Sequence, residues 1–250
     1  MHKADPVAFR TTRRPANRLL TALPQDVFER LQPDLQTIPT TLRYVFHRQG
    51  AAIDYVYFLN GGVGSITTAL EDGTLVEAAT VGDEGFVGIE AFFSANAIST
   101  GESLMQVPDT NAERINVAAF QREVARHGAL HDLIGEYAQV VTAQLMQSTA
   151  CNATHNVEER CARWLLQTHD RMHGHDFQLS QEFLGVMLAV RRQSVGVVAG
   201  TLQRAGLIRY THGRVSIIDR PALEAASCEC YHVIRSRFDE LAKRWPTASD

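Results

Sequence analysis

The alternation of apolar and polar positions changes character along the 250-residue chain. Between residues 42 and 120 it has a period of two: Leu42, Tyr44 and Phe46 recur on one face, and so do Tyr55, Tyr57 and Leu59. Turn-forming runs follow at Asn60-Gly61-Gly62, Glu71-Asp72-Gly73 and Gly82-Asp83-Glu84-Gly85, spaced by about ten to twelve residues. Short antiparallel strands of a sandwich or jelly roll are expected there. From residue 117 the period lengthens to that of a helix. A short helix is predicted to Arg126 and a longer one from Leu130 to about Ala153. The longer one carries Leu130, Ile134, Tyr137, Val141, Gln144, Ser148 and Cys151 at spacings of four and three, an approximate a/d seam.

The last third predicts a compact helical unit with one hairpin. Asn156-Val157-Glu158-Glu159 resembles a capping box and opens a helix to about Met172. Ser180 is a good N-cap, and Phe183, Leu184, Met187 and Leu188 then form one apolar stripe. After Ala189-Val190 a second helix opens with Arg191-Arg192-Gln193-Ser194, turns Val195, Val198 and Leu202 inward, and ends at Gly206. Leu207 to Tyr210, the turn Thr211-His212-Gly213-Arg214 and Val215 to Ile218 read as a hairpin, and further helices run from Ala222 to Arg244. Two helices followed by a two-stranded wing make a winged helix-turn-helix, whose second helix enters a DNA major groove first turn foremost. The fold class expected is α+β. A flexible arm (1–18) precedes a β jelly-roll sensor (19–127), a dimerisation helix (128–155) and a winged helix-turn-helix with C-terminal helices (156–250).

The residue types at that first turn suit base edges. Arginine offers a two-pronged donor to guanine O6 and N7, and glutamine can donate to and accept from adenine. An isolated Arg-Arg pair on a solvated helix face would say little; the wing that follows gives it meaning. The whole chain is acidic, with net charge −4. Between Ser180 and Arg220, however, Arg191, Arg192, Arg204, Arg209, Arg214 and Arg220 stand against only Glu182 and Asp219. A local excess of positive charge is what a phosphate-facing surface needs. The expected DNA contacts are Ser180 and Gln181 on the phosphate backbone, Arg191 on phosphate or base, and Arg192, Gln193 and Ser194 on bases. Thr211, His212 and Arg214 of the wing would straddle adjacent phosphates. Because such readers meet DNA as two-fold pairs, the a/d seam is read as a dimer interface rather than as packing on the chain's own β domain.

Other classes find little support. No run approaches the roughly eighteen apolar residues of a membrane span, and the N-terminus lacks the apolar core of a secretory signal. Cys151, Cys161, Cys228 and Cys230 show no disulfide framework, which suits a reduced cytoplasmic protein. Cys228 and Cys230 alone cannot supply four metal ligands, and on a helix they would face apart. His169, His173 and His175 could be imagined around one ion, but a solvated helix end is the plainer reading. No metal site or cofactor is expected. No Ser-His-Asp order, metal-ligand spacing or nucleotide loop supports an enzyme, and Glu84 and Glu90 read as solvated loop acids.

Barrel, long helix and winged helix-turn-helix in that order resemble the Crp/Fnr family of bacterial transcription regulators, over roughly Leu20 to Arg220. The specific part is Leu184-Gly185, Arg191-Arg192-Gln193-Ser194-Val195-Gly196, Leu202 and Gly206-Leu207-Ile208. The resemblance implies a homodimer reading an inverted repeat in double-stranded DNA, with RNA polymerase as a further partner. It also implies a cyclic-nucleotide-binding-like sensor barrel. The family's recognition helix carries an Arg, then Glu, Ser or Thr, Val, Gly and, in many members, a second Arg. Arg192 matches the first Arg, Gln193 stands where Glu is usual, and Val197 where the second Arg is usual. The operator should therefore differ from that of cyclic-AMP receptor proteins.

The ligand pocket implied by the resemblance maps to Gly82, Gly88, Glu90, Ser99 and Thr100. Cyclic-AMP-binding members use a Gly-Glu segment for the ribose and an Arg-Ser or Arg-Thr pair for the phosphate. Here Gly88 is followed by Ile89 and then Glu90, and Ser99-Thr100 lacks an Arg. Between Arg48 and Arg114 there is no Arg, Lys or His, against ten Asp and Glu residues. A buried phosphate would then depend on backbone amides, for which the turn from Gly82 to Gly88 is a candidate cradle, although an ordinary tight turn is the commoner case. Cyclic AMP is not expected, and no effector is legible. A barrel reduced to a structural unit remains open, as does a sensor that works through protein partners with a vestigial reader.

Overall fold

Two antiparallel sheets face each other in the N-terminal half of the computed structural model, which describes residues 7–11 and 13–245. One sheet runs in the order β1 (Phe9–Arg10), β2 (Gln36–Pro39), β9 (Asn111–Asn116), β4 (Tyr55–Leu59) and β7 (Phe86–Val87). The other runs β3 (Val45–His47), β8 (Glu102–Val107), β5 (Val63–Ala69) and β6 (Leu75–Val81). Ile38, Leu59, Val87 and Ala112 of the first sheet meet Phe46, Val81 and Met105 of the second in one buried cluster. That is the jelly-roll core expected from the period-two pattern.

The N-terminal arm packs against this sandwich. Phe9 and Arg10 pair with Thr37 and Gln36, and fully buried Asn17 ties Leu59 and Gly85 together through its amide. Residues 1–6 of the predicted flexible arm lie outside the described residues. Asn17 also caps α1 (Arg18–Ala22), which leads into α2 (Gln25–Leu31). These helices pack on the outer face of the β4–β9 sheet, with α4 (Val117–Val124) and the long α5 (Ala129–Thr154). A short α3 (Glu90–Phe93) lies between β7 and β8. Phe58, Phe86, Phe120 and Tyr137 form the aromatic centre of this layer, with ring centroids 5.3–5.8 Å apart. Gly85 is required there: a Cβ on it would stand 2.1 Å from the Tyr137 hydroxyl.

The predicted seam of α5 is thereby reassigned. Leu130, Ile134, Tyr137, Val141, Gln144, Ser148 and Cys151 are all buried within the chain itself. The first four pack into the helical layer over the sheet, and Gln144 donates to the Thr80 carbonyl of β6. A four-three repeat says that one face of a helix is covered. It does not say whether by another chain or by its own. The face of α5 left exposed carries Gln139, Thr142, Leu145, Met146 and Thr149.

The C-terminal unit has its own core. α6 (Val157–His169) starts with the capping box at Asn156 and Glu159. It is followed by β10 (Asp176–Gln178), α7 (Gln181–Leu188), α8 (Arg192–Arg204), β11 (Ile208–Thr211), β12 (Arg214–Ile217), α9 (Arg220–Ala225) and α10 (Cys230–Arg244). Trp164, Leu166, Leu184, Val195, Leu202 and Val215 are buried together at its centre. β10 makes the wing three-stranded, in the order β10-β12-β11, a strand the sequence pattern did not signal.

This unit is docked on the barrel and its helical layer by apolar packing, with Ile234 and Phe238 of α10 beside Tyr137 and Val63 and Val107 beside Trp164, and by polar contacts. Arg171 and Glu84 form a buried ion pair, Nη2 to Oε1 at 2.7 Å, and Arg171 Nη1 donates to Thr80 Oγ1 at 2.8 Å. Glu84 is therefore a buried, paired acid and not the solvated one expected. Burial pushes its carboxyl upward, but the guanidinium outweighs this and holds it below the usual carboxylate range. Trp164 Nε1 donates to Glu77 of β6 at 2.9 Å, and Arg43 lies 4.8 Å from the Phe183 ring centre.

Glu77 gives a pH signature to this interface. Burial pushes its carboxyl up to about 7, against the hydrogen bonds from Ser65 and Trp164. A carboxyl raised in the folded state binds protons that the unfolded chain has released, so stability falls as pH rises from about 4.5 to about 7 and is flat in this respect above. Glu77→Gln should flatten that slope, as measured by urea unfolding at pH 5, 6, 7 and 8. An unchanged slope would remove Glu77 from the interface's titration.

Candidate nucleic-acid interface

The turn between α7 and α8 is fixed by local chemistry. Ser180 Oγ accepts the Phe183 amide at 3.2 Å and starts α7. Ala189 takes the left-handed conformation (φ 51°, ψ 44°) and ends it, while the Val190 amide returns to the Gly185 carbonyl at 2.9 Å. Gly185 admits the close approach of the two helices, since a Cβ would sit 3.0 Å from the Val190 carbonyl oxygen. The axes of α7 and α8 meet at 97°. Val195, Val198 and Leu202 turn inward, as their spacing predicted, so the opposite side of α8 is left to solvent.

That side carries the predicted readers. Arg191, Arg192, Gln193 and Ser194 are all exposed, as is Val197 at 64 %. Arg191 occupies the N-cap without a side-chain cap bond, so the first-turn amides and the positive end of the helix dipole face outward beside two guanidinium groups. Among the described residues, no acid pairs with Arg191, Arg192 or Arg209. Gln181 is half-buried at the start of α7, next to the exposed Ser180.

The wing tip is a two-residue turn with positive φ at both centres, His212 at 50° and Gly213 at 74°, the primed geometry that suits the twist of a hairpin. Thr211, His212 and Arg214 are exposed there. Arg214 is partly spoken for by Asp176 of β10, at 2.6 Å. Arg220 leaves the basic surface altogether: it binds Asp170 at 2.5 Å and Glu224 at 2.9 Å and packs beside Tyr231. The predicted set of six surface arginines is thus smaller, because an arginine counted along the sequence can be consumed by acids distant in it.

The residues mapped to a ligand pocket divide. Gly88 (φ +100°) sits against the ring of buried His47, whose Nε2 is 2.8 Å from the Tyr55 carbonyl oxygen. Glu90, Ser99 and Thr100 lie nearby, and the Glu90 carboxylate accepts both the Thr100 amide and hydroxyl at 3.0 Å. Ser99 Oγ is turned to the Gly101 carbonyl at 2.7 Å. Gly82 belongs elsewhere. Its amide donates to Glu84 at 3.1 Å, and the group lying against it is the Arg171 side chain, a cation from the C-terminal unit. The turn from Gly82 is occupied by that ion pair and is not an open anion cradle.

The three histidines considered for an ion do not converge. His169 and His175 stack with ring centres 6.4 Å apart and His169 faces Arg220 at 2.7 Å, but His173 pairs with Asp109 at 2.5 Å. The cysteines do. Cys228 precedes α10 and Cys230 is its first residue, so the two need not diverge as on a helix, and both reach the end of α5 at Cys151. That proximity joins residues 77 apart and had no local signal.

The model of the Crp-like helix-turn-helix domain matches residues 159–226. The whole chain has no significant match among curated proteins. Its fold is similar to that of the c-di-GMP-responsive global regulator CLP of Xanthomonas campestris, with 19 % identity, TM-score 0.62, and 78 % of this chain and 100 % of that one covered. It is also similar to FixK2 of Bradyrhizobium japonicum (14 % identity, TM-score 0.61, 78 % and 98 % covered). A Crp/Fnr family regulator of Eubacterium rectale shows the same likeness (15 %, TM-score 0.61, 83 % and 96 %). The chain has the fold of the Crp/Fnr regulators, and its residues 159–226 match the Crp-like helix-turn-helix domain.

Proposed function

We propose that the chain is a homodimeric transcription regulator that reads an inverted repeat through α8. The observation that carries this is the exposed Arg191–Ser194 turn, free of acidic partners among the described residues and standing at the open N-terminus of a helix within a Crp-like helix-turn-helix domain. Arg192 and Gln193 read base edges, Ser194 and Val197 extend the contact, and Ser180, Gln181, Thr211, His212 and Arg214 lie on phosphates. Val197 in place of a second arginine offers an apolar contact suited to a thymine methyl group.

Cyclic AMP is not the effector in this reading. The Glu90 carboxylate is already engaged by Thr100, and no cation lies between Arg48 and Arg114 in the sequence to meet a phosphate. The direct test is binding to a random-sequence duplex by fluorescence anisotropy across salt concentrations. A regulator with an intact reader loses affinity steeply as salt rises, in proportion to the phosphates it neutralises. Absence of salt-dependent binding would leave the reader vestigial.

The dimer forms in this account through the exposed face of α5, where Met146 is 71 % and Leu145 38 % accessible. Replacing both with Asp should convert the protein to a monomer in light scattering and weaken binding to a two-half-site duplex by about two orders of magnitude, because linked half-sites act as one multivalent ligand. A double variant that stays dimeric would place the interface elsewhere.

A further inference from the structure

We infer that Cys151, His155, Cys228 and Cys230 form a tetrahedral binding site for a thiophilic divalent ion, with zinc as the best match. One ligand atom from each of these four residues lies within 4.8 Å of all the others. The Cys151 and Cys228 sulfurs are 3.5 Å apart, and Cys230 Sγ is 3.6 Å from His155 Nδ1. A tetrahedral zinc ion with ordinary bond lengths of about 2.3 Å to sulfur and about 2.05 Å to nitrogen has edges of about 3.8 Å between sulfurs and about 3.6 Å between sulfur and nitrogen. Two opposite edges of the tetrahedron therefore already stand at ligand spacing, and the remaining ones close with shifts of about 1 Å or less. Three thiolates and one imidazole are a common donor set of closed structural zinc sites. An iron–sulfur cluster, whose thiolates bind different iron atoms, would hold its ligands farther apart than this.

The surroundings are those of a ligand shell. Cys151 and His155 sit one turn apart at the end of α5 and so share a face. His155 turns Nδ1 toward the sulfurs and gives Nε2 to Glu229 Oε2 at 3.1 Å, the outer-shell carboxylate that commonly orients a metal-bound imidazole. Gln147 Nε2 donates to Cys230 Sγ at 3.0 Å, and the Cys230 backbone amide donates to Cys228. The three cysteines are buried together, apart from the larger apolar cores. Buried Arg163, whose Nε has no hydrogen-bond partner among the described residues, bears electrostatically on Cys151 and Cys228 and would offset the net negative charge of three thiolates around one dication. Hydrophobic packing alone explains three small side chains in contact. It does not explain a histidine aimed at their sulfurs and buttressed by a carboxylate.

The position gives the ion a structural consequence. It ties the last turn of α5 to the segment between α9 and α10, joining the end of the long helix to the end of the DNA-reading unit. Whether the reader is held to α5 would then depend on metal supply and on the reduced state of the thiols.

The test uses the untagged full-length chain, produced in zinc-supplemented medium and purified under reducing conditions. Elemental analysis should find one zinc per chain, and zinc-free protein titrated with Co(II) should develop the strong visible bands of tetrahedral cobalt. The double variant Cys228→Ser, Cys230→Ser should lose both, whereas Cys161→Ala, altering the fourth cysteine, should lose neither. His155→Cys preserves a four-ligand set and should keep one ion while intensifying the thiolate-to-cobalt charge-transfer band, a change that a folding defect would not produce. Glu229→Gln should weaken zinc binding about tenfold or more at unchanged stoichiometry. Substoichiometric zinc with no tetrahedral cobalt spectrum would overturn the site. So would retention of the ion by the double serine variant. None of these outcomes depends on DNA binding.

Discussion

Arg192→Ala should remove base discrimination at the position Arg192 contacts and weaken operator binding, while leaving the fold intact. The side chain is exposed at the first turn of α8 and has no acidic partner among the described residues, so its loss disturbs no packing. A bidentate arginine contact is worth about 1–3 kcal/mol of discrimination at one base pair. A two-fold dimer loses it in both half-sites, so the cost is about 2–6 kcal/mol, or roughly thirty-fold to twenty-thousand-fold in affinity for the operator. Arg192→Lys keeps the charge but not the fork, and should lose most of the discrimination while retaining the salt dependence of non-specific binding. The check is anisotropy against the cognate and a scrambled duplex. Equal affinity of wild type and Arg192→Ala for the cognate site would show that Arg192 does not read bases.

The second large effect concerns stability. Arg171→Ala leaves Glu84 as a buried carboxylate without its cation, beside a turn whose Gly82 amide it also holds. Breaking a buried pair by removing one partner costs about 3–5 kcal/mol. In a chain of this size that corresponds to a fall of about 10 °C in Tm. Replacing both members, as in Glu84→Gln with Arg171→Met, should cost less than the sum of the single changes, because no uncompensated charge remains. Thermal unfolding of the two single variants and the pair measures the coupling. Additive effects would mean that the contact between barrel and C-terminal unit does not depend on this ion pair.

The parts of the fold that were legible in the sequence are those written locally. Ser180, Asn156 and Gly206 mark helix ends through their own caps, and the inward triad Val195, Val198 and Leu202 fixes which side of α8 is exposed. The wing turn follows from His212-Gly213, two residues that tolerate positive φ. What the sequence left open depends on partners far along the chain. The covered face of α5 was readable, but not that Phe86 and Phe120 cover Tyr137 on it. Arg220 is withdrawn from the basic surface by Asp170, fifty residues away. β10 has a single apolar anchor, Phe177, too little to set a period. The cysteine cluster has no local pattern, because Cys228 lies just before α10, Cys230 opens it, and their partners Cys151 and His155 are more than seventy residues away in the chain.

The central claim, that α8 is a groove reader presented as a two-fold pair, is tested most directly by selecting binding sites from random duplex DNA with the wild-type protein and Arg192→Ala in parallel. The account predicts that wild type enriches an inverted repeat whose half-sites lie about 10–10.5 base pairs apart, with information lost in the variant at the position Arg192 contacts. Enrichment of no sequence by the wild type, or of the same sequence by both proteins, would contradict it.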